Sequence, residues 1–579
     1  MNDNKVLDAT MIEQVVALLP TEQQLKLFTL AMDETATDEQ LDAGVREALA
    51  AVDWEGRDEQ IRALISRIMP LETLVPDIYA EWRPVIRDAV AYTGASLSPE
   101  RLVPKLVEQM MLPEEMPLEQ RLLILIAQMP SLQKLGQIVA RNPHLNPAFR
   151  AELTRLENAI QDISPREVRA EIERQLRRPL KTYRVEIQEV ILAEASVSAV
   201  VRFTWWSPVT NQREAGVFKV LKPYVLEHFP EEMEILTGLA EFFDSNREKY
   251  ALPQVGFRDV VDDVRRLLAH ETNLPIEQAN LLAAWERYGE MKGVRVPRLI
   301  RELSTPTITA MTEEAGVKVT DAFPTSERKR AKLAERVVEA LVAAPMFAPE
   351  ELAFFHADPH AGNLMADERA GDLILLDWAL TERLSREQRR QTVLLVLAVA
   401  LRDERRVFEA IAAVSEDDLL RDEVKATLVR GHVAHFFSRL SPLTPPGFAQ
   451  VMTLLDGLAF GGIRFPAELL MFRKALFTLE GVLHDVAPEV QMDLVLARYA
   501  VRLLRREAPA RLLRPFTDSS ATFRTHLSNF DLTALVLSLP LLGSRLWAQG
   551  VEQVTDRGLR ELQRSLARLW STLPEQAAE

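Results

Sequence analysis

Between Phe354 and Leu380 the chain reads FFHADPHAGNLMADERAGDLILLDWAL, and His356, Asp358, His360, Asn363 and Asp377 in it are side chains that hold protons and hard cations. The four residues PHAG separate Asp358 from Asn363, and Asp377 follows the apolar run LILL, which reads as a strand. A loop aspartate, an asparagine soon after it and a second aspartate at a neighbouring strand end are used for phosphoryl transfer with magnesium. Mg2+ takes oxygen ligands in octahedral geometry at about 2.0 to 2.1 Å. The Asn363 carboxamide and Asp377 carboxylate supply two, nucleotide phosphates and water complete the shell, and Asp358 is left to orient a nucleophile. Asp and Asn in loops are ordinarily turn formers, a plainer reading that the added Asp377 weighs against. The histidines match no HExxH or His-rich zinc spacing. His356, two residues before Asp358, reads as a packing and hydrogen-bonding strut for the loop, and His360 as structural too.

A nucleotide site of this kind also needs a fixed cation for the α and β phosphates, on the third strand of a small lobe. AGVFKVLKP supplies Lys219. Strand alternation puts Val217, Lys219 and Leu221 on one face and Phe218 and Val220 on the other, so Lys219 is either functional or at a solvated edge. The segment HETNLPIEQAN offers Glu271 and Glu277 as carboxylates to hold it.

The elements that must position these groups are readable in outline. From the start to about residue 120, segments such as EQVVALLPTEQQLKLFTLAM have apolar residues at helical spacing, broken by Pro20, Pro70, Pro76 and Pro84. Helices continue to about residue 180, and SPREVRAEIERQLRR begins at Pro165 with Ser164 as its cap. YRVEIQEVILAEASVSAVVRFTWW and EAGVFKVLK, separated by SPVTNQRE, predict a small antiparallel sheet. Two helices follow, the second interrupted near Pro275; VRVPRLI and TITAMTEE then return to the sheet, and residues 326 to 353 are helical. From about Arg386 onward the pattern is helical, with Pro442, Pro445 and Pro446 marking a loop. The expected domains are an N-terminal helical region over 1–120, a helical extension over 121–183, a core over 184–385 divided near 316, and a C-terminal helical region over 386–579.

Composition bounds the function. A chain of 579 residues, 47% hydrophobic and 27% charged, is a soluble-type globular protein of roughly three or four domains. Its net charge of -16 repels nucleic-acid phosphate, so no nucleic-acid partner is expected. With no cysteine there are no disulfides, thiolate nucleophiles or zinc-thiolate sites, and a metal must use oxygen or imidazole. The beginning MNDNKVLDATMIEQ lacks the charge and apolar pattern of a secretory signal, giving a cytoplasmic expectation, peripheral to the inner face of a membrane at most. The run Leu532 to Trp547 contains Pro540 and Arg545 and is too short to span a bilayer; TVLLVLAVAL from Thr392 reads as a core helix. Arg502, Arg505, Arg506, Arg511 and Arg514 form a basic stretch that suits anionic headgroups, although a solvated helix face is the plainer reading. Oligomeric state is left open.

These residues together resemble the UbiB-type atypical kinases, also called the AarF or ADCK family. HADPHAGNL is similar to the family's HADPHPGN catalytic loop, LLDWAL stands where it has a strand ending in DFG, and AGVFKVLKP resembles its VAVKVQRP strand. SLQKLGQIVARNPHLNPAFRAELTRLEN resembles its KxGQ segment and gives Lys134 and Gln137. The resemblance spans about residues 125 to 385. It implies an α+β, protein-kinase-like bilobal core with large all-helical N- and C-terminal extensions, ATP and Mg2+ as cofactors, and a link to coenzyme Q or other isoprenoid lipids. Lys219 is then the phosphate-binding lysine, Glu277 its partner, Asp358 the catalytic aspartate, and Asn363 and Asp377 the magnesium ligands. The KxGQ helices are expected over the active site.

The chain departs from the family pattern in ways that carry expectations. Its alanine-rich nucleotide loop, with Ala195, Ser196 and Ser198 as nucleotide contacts, reads AEASVSAVV: Ser198 replaces glycine, Ala199 replaces glutamine, and Glu194 adds a charge that repels phosphate unless it points away. The ExD motif reads Glu271-Thr272-Asn273, the hinge Met311-Thr312, and Trp378-Ala379 replaces Phe-Gly, restricting that segment. Two other functions compete. A small-molecule phosphotransferase of the aminoglycoside or choline kinase type shares an HGDxHxGN loop and a following DW but lacks the KLGQ segment. A scaffold binding nucleotide or lipid through its helical flanks is the third reading.

Overall fold

The computed structural model describes residues 19–513 apart from 33–35, 53–57, 69–79, 81, 111, 114, 115, 117, 135–162, 251–256, 401 and 441–446, together with 523, 525 and 527–533. Gln137, Arg514 and most of the Leu532 to Trp547 run lie outside the described residues. The chain divides into two compact units, Met1–Gln278 with Leu299–Glu313, and Ala279–Arg298 with Glu314–Glu579.

The first unit begins with helices α1 (Thr21–Ala31), α2 (Asp38–Ala50), α3 (Asp58–Ile68), α4 (Arg83–Ala95), α5 (Pro99–Met110) and α6 (Leu118–Ile126). Their apolar stripes form one core through Leu49, Ile61, Ile65, Leu102, Leu106 and Val107. Pro20 and Pro84 sit at helix starts, where a missing N–H costs nothing. Helix α7 (Pro165–Thr182) starts as the sequence indicates, with a capping box between Ser164 and Glu167.

The sheet that follows has the order β1 (Glu186–Glu194), β2 (Ser198–Ser207), β3 (Gln212–Leu221) and β5 (Ile308–Thr312), antiparallel throughout. One face buries Val201, Phe203, Trp205, Phe218 and Val220 against Val168, Ile172 and Leu176 of α7. Phe203 lies flat over Phe218 at 4.0 Å, and Gly216 permits this, since a Cβ there would stand 2.5 Å from the Phe203 ring. Burial of Phe218 and Val220 turns Lys219 to the opposite face, as alternation requires. Helices α8 (Pro223–Ser245) and α9 (Phe257–Glu271) follow, then α10 (Leu274–Tyr288), which starts anew because Pro275 occupies its first turn and the Asn273 side chain accepts from the Ile276 N–H at 3.2 Å.

In the second unit β4 (Val294–Arg295), β9 (Leu373–Leu375), β8 (Leu364–Ala366) and β6 (Val317–Lys318) form a second sheet in that order, and β7 (Leu352–His356) pairs with β10 (Thr381–Ser385). This corrects the expectation for VRVPRLI: only Val294–Arg295 is a strand, and it pairs parallel with β9. Pro297 has no N–H and ends the ladder, leaving Leu299 one bridge to Met311. Helix α11 (Glu327–Val338) continues through a π turn, Glu339–Ala343, to Met346.

Helices α12 (Arg386–Ala400), α13 (Glu404–Val414), α14 (Glu423–Arg439), α15 (Phe448–Phe460), α16 (Ala467–Val486) and α17 (Met492–Leu512) complete the described elements. The run from Thr392 is a core helix, burying Leu395, Leu397, Ala398 and Val399. Part of the basic stretch on α17 serves internal pairs: Arg502 meets Glu339, and buried Arg511 donates to Glu507 at 2.7 Å. No helix among the described residues is long and apolar enough to cross a membrane.

Candidate active site

In the first unit β3 carries Lys219 beside the first turn of α10. Its Nζ donates to Glu277 Oε1 at 2.8 Å, with the side chains 13% and 4% exposed. A charge-assisted bond this sheltered fixes a lysine that would otherwise wander on four flexible carbons. Of the two carboxylates offered by the sequence, Glu277 takes Lys219, whereas Glu271 at the end of α9 forms an ion pair with Lys134 of the KLGQ segment. Ser196 also donates to Glu271, at 3.3 Å.

The turn between β1 and β2 contains Ala195, Ser196 and Ser198. The Ala195 N–H donates to the Ser198 carbonyl at 2.8 Å, and both serines are buried. No residue from 194 to 199 has positive φ, in keeping with the absence of glycine there. Glu194 does not face open solvent: its carboxylate lies 2.9 Å from Lys222 Nζ, with side chains 7% and 0% exposed. Sequence reasoning missed Lys222, although it stands three residues after Lys219 in KVLKP.

In the second unit β7 delivers the loop that holds Asp358, and a short 3-10 turn, Ala361–Asn363, closes it. His356 braces the loop in the way its position suggests. The Asp358 N–H donates to Nδ1 at 3.2 Å, so the ring proton sits on Nε2 and donates to the Leu376 carbonyl at 3.0 Å. Burial pushes this imidazole below its ordinary pKa, holding it neutral. His360 accepts the Gly362 N–H at Nδ1, 3.0 Å away, and its Nε2 stands 3.8 Å from Asp358 Oδ2.

Asn363 donates its carboxamide nitrogen to the Asp358 carbonyl at 3.1 Å, which commits the nitrogen and leaves Oδ1 as a hard oxygen donor. Its own carbonyl accepts the Leu376 N–H at 2.9 Å, tying the loop to the segment that carries Asp377. Asp377 has φ 53, a left-handed conformation uncommon outside glycine, and its Oδ1 accepts the Ala379 N–H at 3.2 Å. Trp378 anchors this segment. Its ring is 1% exposed, stacks on Phe354 at 5.5 Å, lies 4.9 Å from His356 and 5.7 Å from Tyr288, while Asn280 donates to its carbonyl at 3.1 Å. The restriction expected from Trp378-Ala379 thus has a physical basis in this cage.

The donor chemistry of Asn363 and Asp377 fits magnesium, which prefers hard oxygen. Among the described residues no group of three or more His, Asp or Glu is arranged to hold a metal by itself.

The first unit holds a lysine against a helix carboxylate on a four-stranded antiparallel sheet, and the second carries an Asp, Asn and Asp set; each is a feature of protein-kinase-like domains. Residues 155–411 match the ABC1 atypical kinase-like domain. Similar proteins include Protein ACTIVITY OF BC1 COMPLEX KINASE 7, chloroplastic, of Arabidopsis thaliana, 26% identical over 382 residues covering 65% of this chain and 53% of that protein. This chain therefore spans about half the length of that relative. A Probable protein kinase UbiB of Xanthomonas oryzae pv. oryzae is 27% identical over 424 residues, 71% of this chain and 74% of that one. The solved structure of Rv3197 with erythromycin from Mycobacterium tuberculosis is 16% identical with a TM-score of 0.38, covering 67% of this chain and 95% of that one, too loose a likeness to bear on the fold. The chain thus carries an ABC1 atypical kinase-like domain over residues 155–411 and is similar to UbiB-named proteins, with an α+β kinase-like core and large helical extensions.

Proposed function

We propose that this protein is a magnesium-dependent ATPase or phosphotransferase acting in quinone or other isoprenoid-lipid metabolism, cytoplasmic and peripheral to the inner face of a membrane. The observation that carries the chemistry is the sheltered Lys219–Glu277 pair at 2.8 Å. Lys219 is the cation for the α and β phosphates, and Glu277 fixes its position. Ala195, Ser196 and Ser198 line the nucleotide turn. Asn363 and Asp377 hold Mg2+, which when bound neutralises charge developing on the phosphates. Asp358 accepts the proton of the attacking hydroxyl or water, at a carboxylate 24% exposed and so open to an acceptor. Neutral His356 keeps the Asp358 main chain in place without competing for that proton. Lys134 and Gln137 belong to a segment that restrains access, an assignment supported for Lys134 by its ion pair with Glu271.

That pair also favours a second reading, a nucleotide-binding scaffold of slow turnover. ATP turnover by the purified full chain, with and without quinone-like lipids or detergent, decides. Hydrolysis that responds to lipid and disappears in Asp377→Asn is expected; turnover undiminished in that variant contradicts the metal assignment, and binding without turnover selects the scaffold.

A further inference from the structure

Lys222 is wholly buried, and a lysine removed from water keeps its charge only beside a compensating partner. Glu194 is that partner at 2.9 Å. The same residue holds the main chain of the turn, since the Lys222 N–H donates to the Val197 carbonyl at 2.9 Å. Lys222 thus grips the turn twice, by its backbone on the Val197 side and by its ammonium group on the Glu194 side. The register places this turn next to Lys219: Ser198 pairs with Leu221 and Val200 with Lys219, so Ser198 shares a sheet face with Lys219.

We propose that Lys222 is a positioning residue of the nucleotide site, drawing the Glu194 carboxylate into the protein and cancelling its charge so that the 194–198 turn accepts a nucleotide polyphosphate. The inference rests on the nucleotide reading of Lys219 given above. A glycine-rich loop adapts to phosphate through its free backbone. This turn has no glycine, and its shape and charge are set instead by one buried lysine.

The test is a charge series in the full chain, read as affinity for Mg-ATP and for adenosine, which has no phosphate. Lys222→Met leaves the carboxylate charge on the turn and weakens ATP binding about tenfold or more, the scale expected for a unit charge acting at an effective dielectric near 20. Glu194→Gln leaves the ammonium charge and tightens ATP binding. The double variant Glu194→Gln/Lys222→Met carries neither charge and returns to within about threefold of the original affinity. Adenosine affinity stays level across the series, which a merely structural role would not produce. Should Lys222→Met fail to fold, the double variant decides: recovered ATP affinity supports the proposal, and retained adenosine binding with lost ATP binding overturns it. ATP binding by the unaltered chain together with equal ATP affinities in all variants refutes the role of Lys222 alone. Absence of ATP binding by the unaltered chain refutes the nucleotide reading itself.

Discussion

Replacing Lys219 by methionine separates what the lysine does for the fold from what it does for a ligand. Breaking a buried ion pair by removing one partner costs about 3 to 5 kcal/mol, because a charge stays behind in poor solvent. Glu277 is 4% exposed and Lys219 is 13% exposed, so some water reaches the pair and the lower end, about 3 kcal/mol, applies. Lys219→Met should therefore destabilise the first unit by about that amount and abolish nucleotide binding. Adding Glu277→Leu removes the stranded carboxylate, and two apolar groups of similar shape recover most of the lost stability. The double variant still lacks the phosphate-binding cation. Urea unfolding followed by tryptophan fluorescence measures the first effect, and titration calorimetry with Mg-ATP the second. Nucleotide affinity restored by Glu277→Leu would refute the role assigned to Lys219, since no cation has been returned to the strand.

Other expectations concern the second unit. Trp378→Ala empties the cage formed with Phe354, His356 and Tyr288 and should cost about 3 to 5 kcal/mol by chemical denaturation, with loss of magnesium-dependent turnover as Asp377 is released. Arg389 is 1% exposed and donates to the carbonyls of Ala348 at 2.7 Å and of Glu351 and Ser385 at 3.2 Å, and burial lowers its pKa to about 10. Arg389→Met should strip those carbonyls, two just ahead of β7 and one at the end of β10, of their donor and cost about 3 kcal/mol or more, seen in the same denaturation assay. His356 has a folded pKa below its ordinary 6.5, so its contribution is present above pH 6.5 and is lost as the pH falls toward the folded value, where the unfolded chain binds the extra proton. Stability measured from pH 7.5 to 5 should fall more steeply in the original chain than in His356→Gln.

Much of the site was legible because it depends on local periodicity. Lys219 faces away from the Phe218 and Val220 core by strand alternation, Ser164 announces α7, and Pro275 restarts a helix after Asn273. Choice of partner followed from the family resemblance, which names Glu277, and not from local pattern. Glu271 and Glu277 look equivalent along the chain, yet a helix break at Thr272 and Asn273 puts one at the end of α9 with Lys134 and the other in the first turn of α10 with Lys219. Glu194 looked like a charge near the phosphates because its cancelling partner, Lys222, lies beyond two intervening strands. VRVPRLI misled because two-residue strands have no usable period and their partners are distant in sequence.

The central claim is that this chain binds ATP through magnesium held by Asn363 and Asp377, and the most direct measurement is titration calorimetry of ATP into the full chain with and without Mg2+. Binding that requires magnesium, and that drops at least about tenfold in Asp377→Asn while the variant keeps its unfolding midpoint, is the predicted result. Equal ATP affinity with and without the ion, or in the variant, would contradict the account.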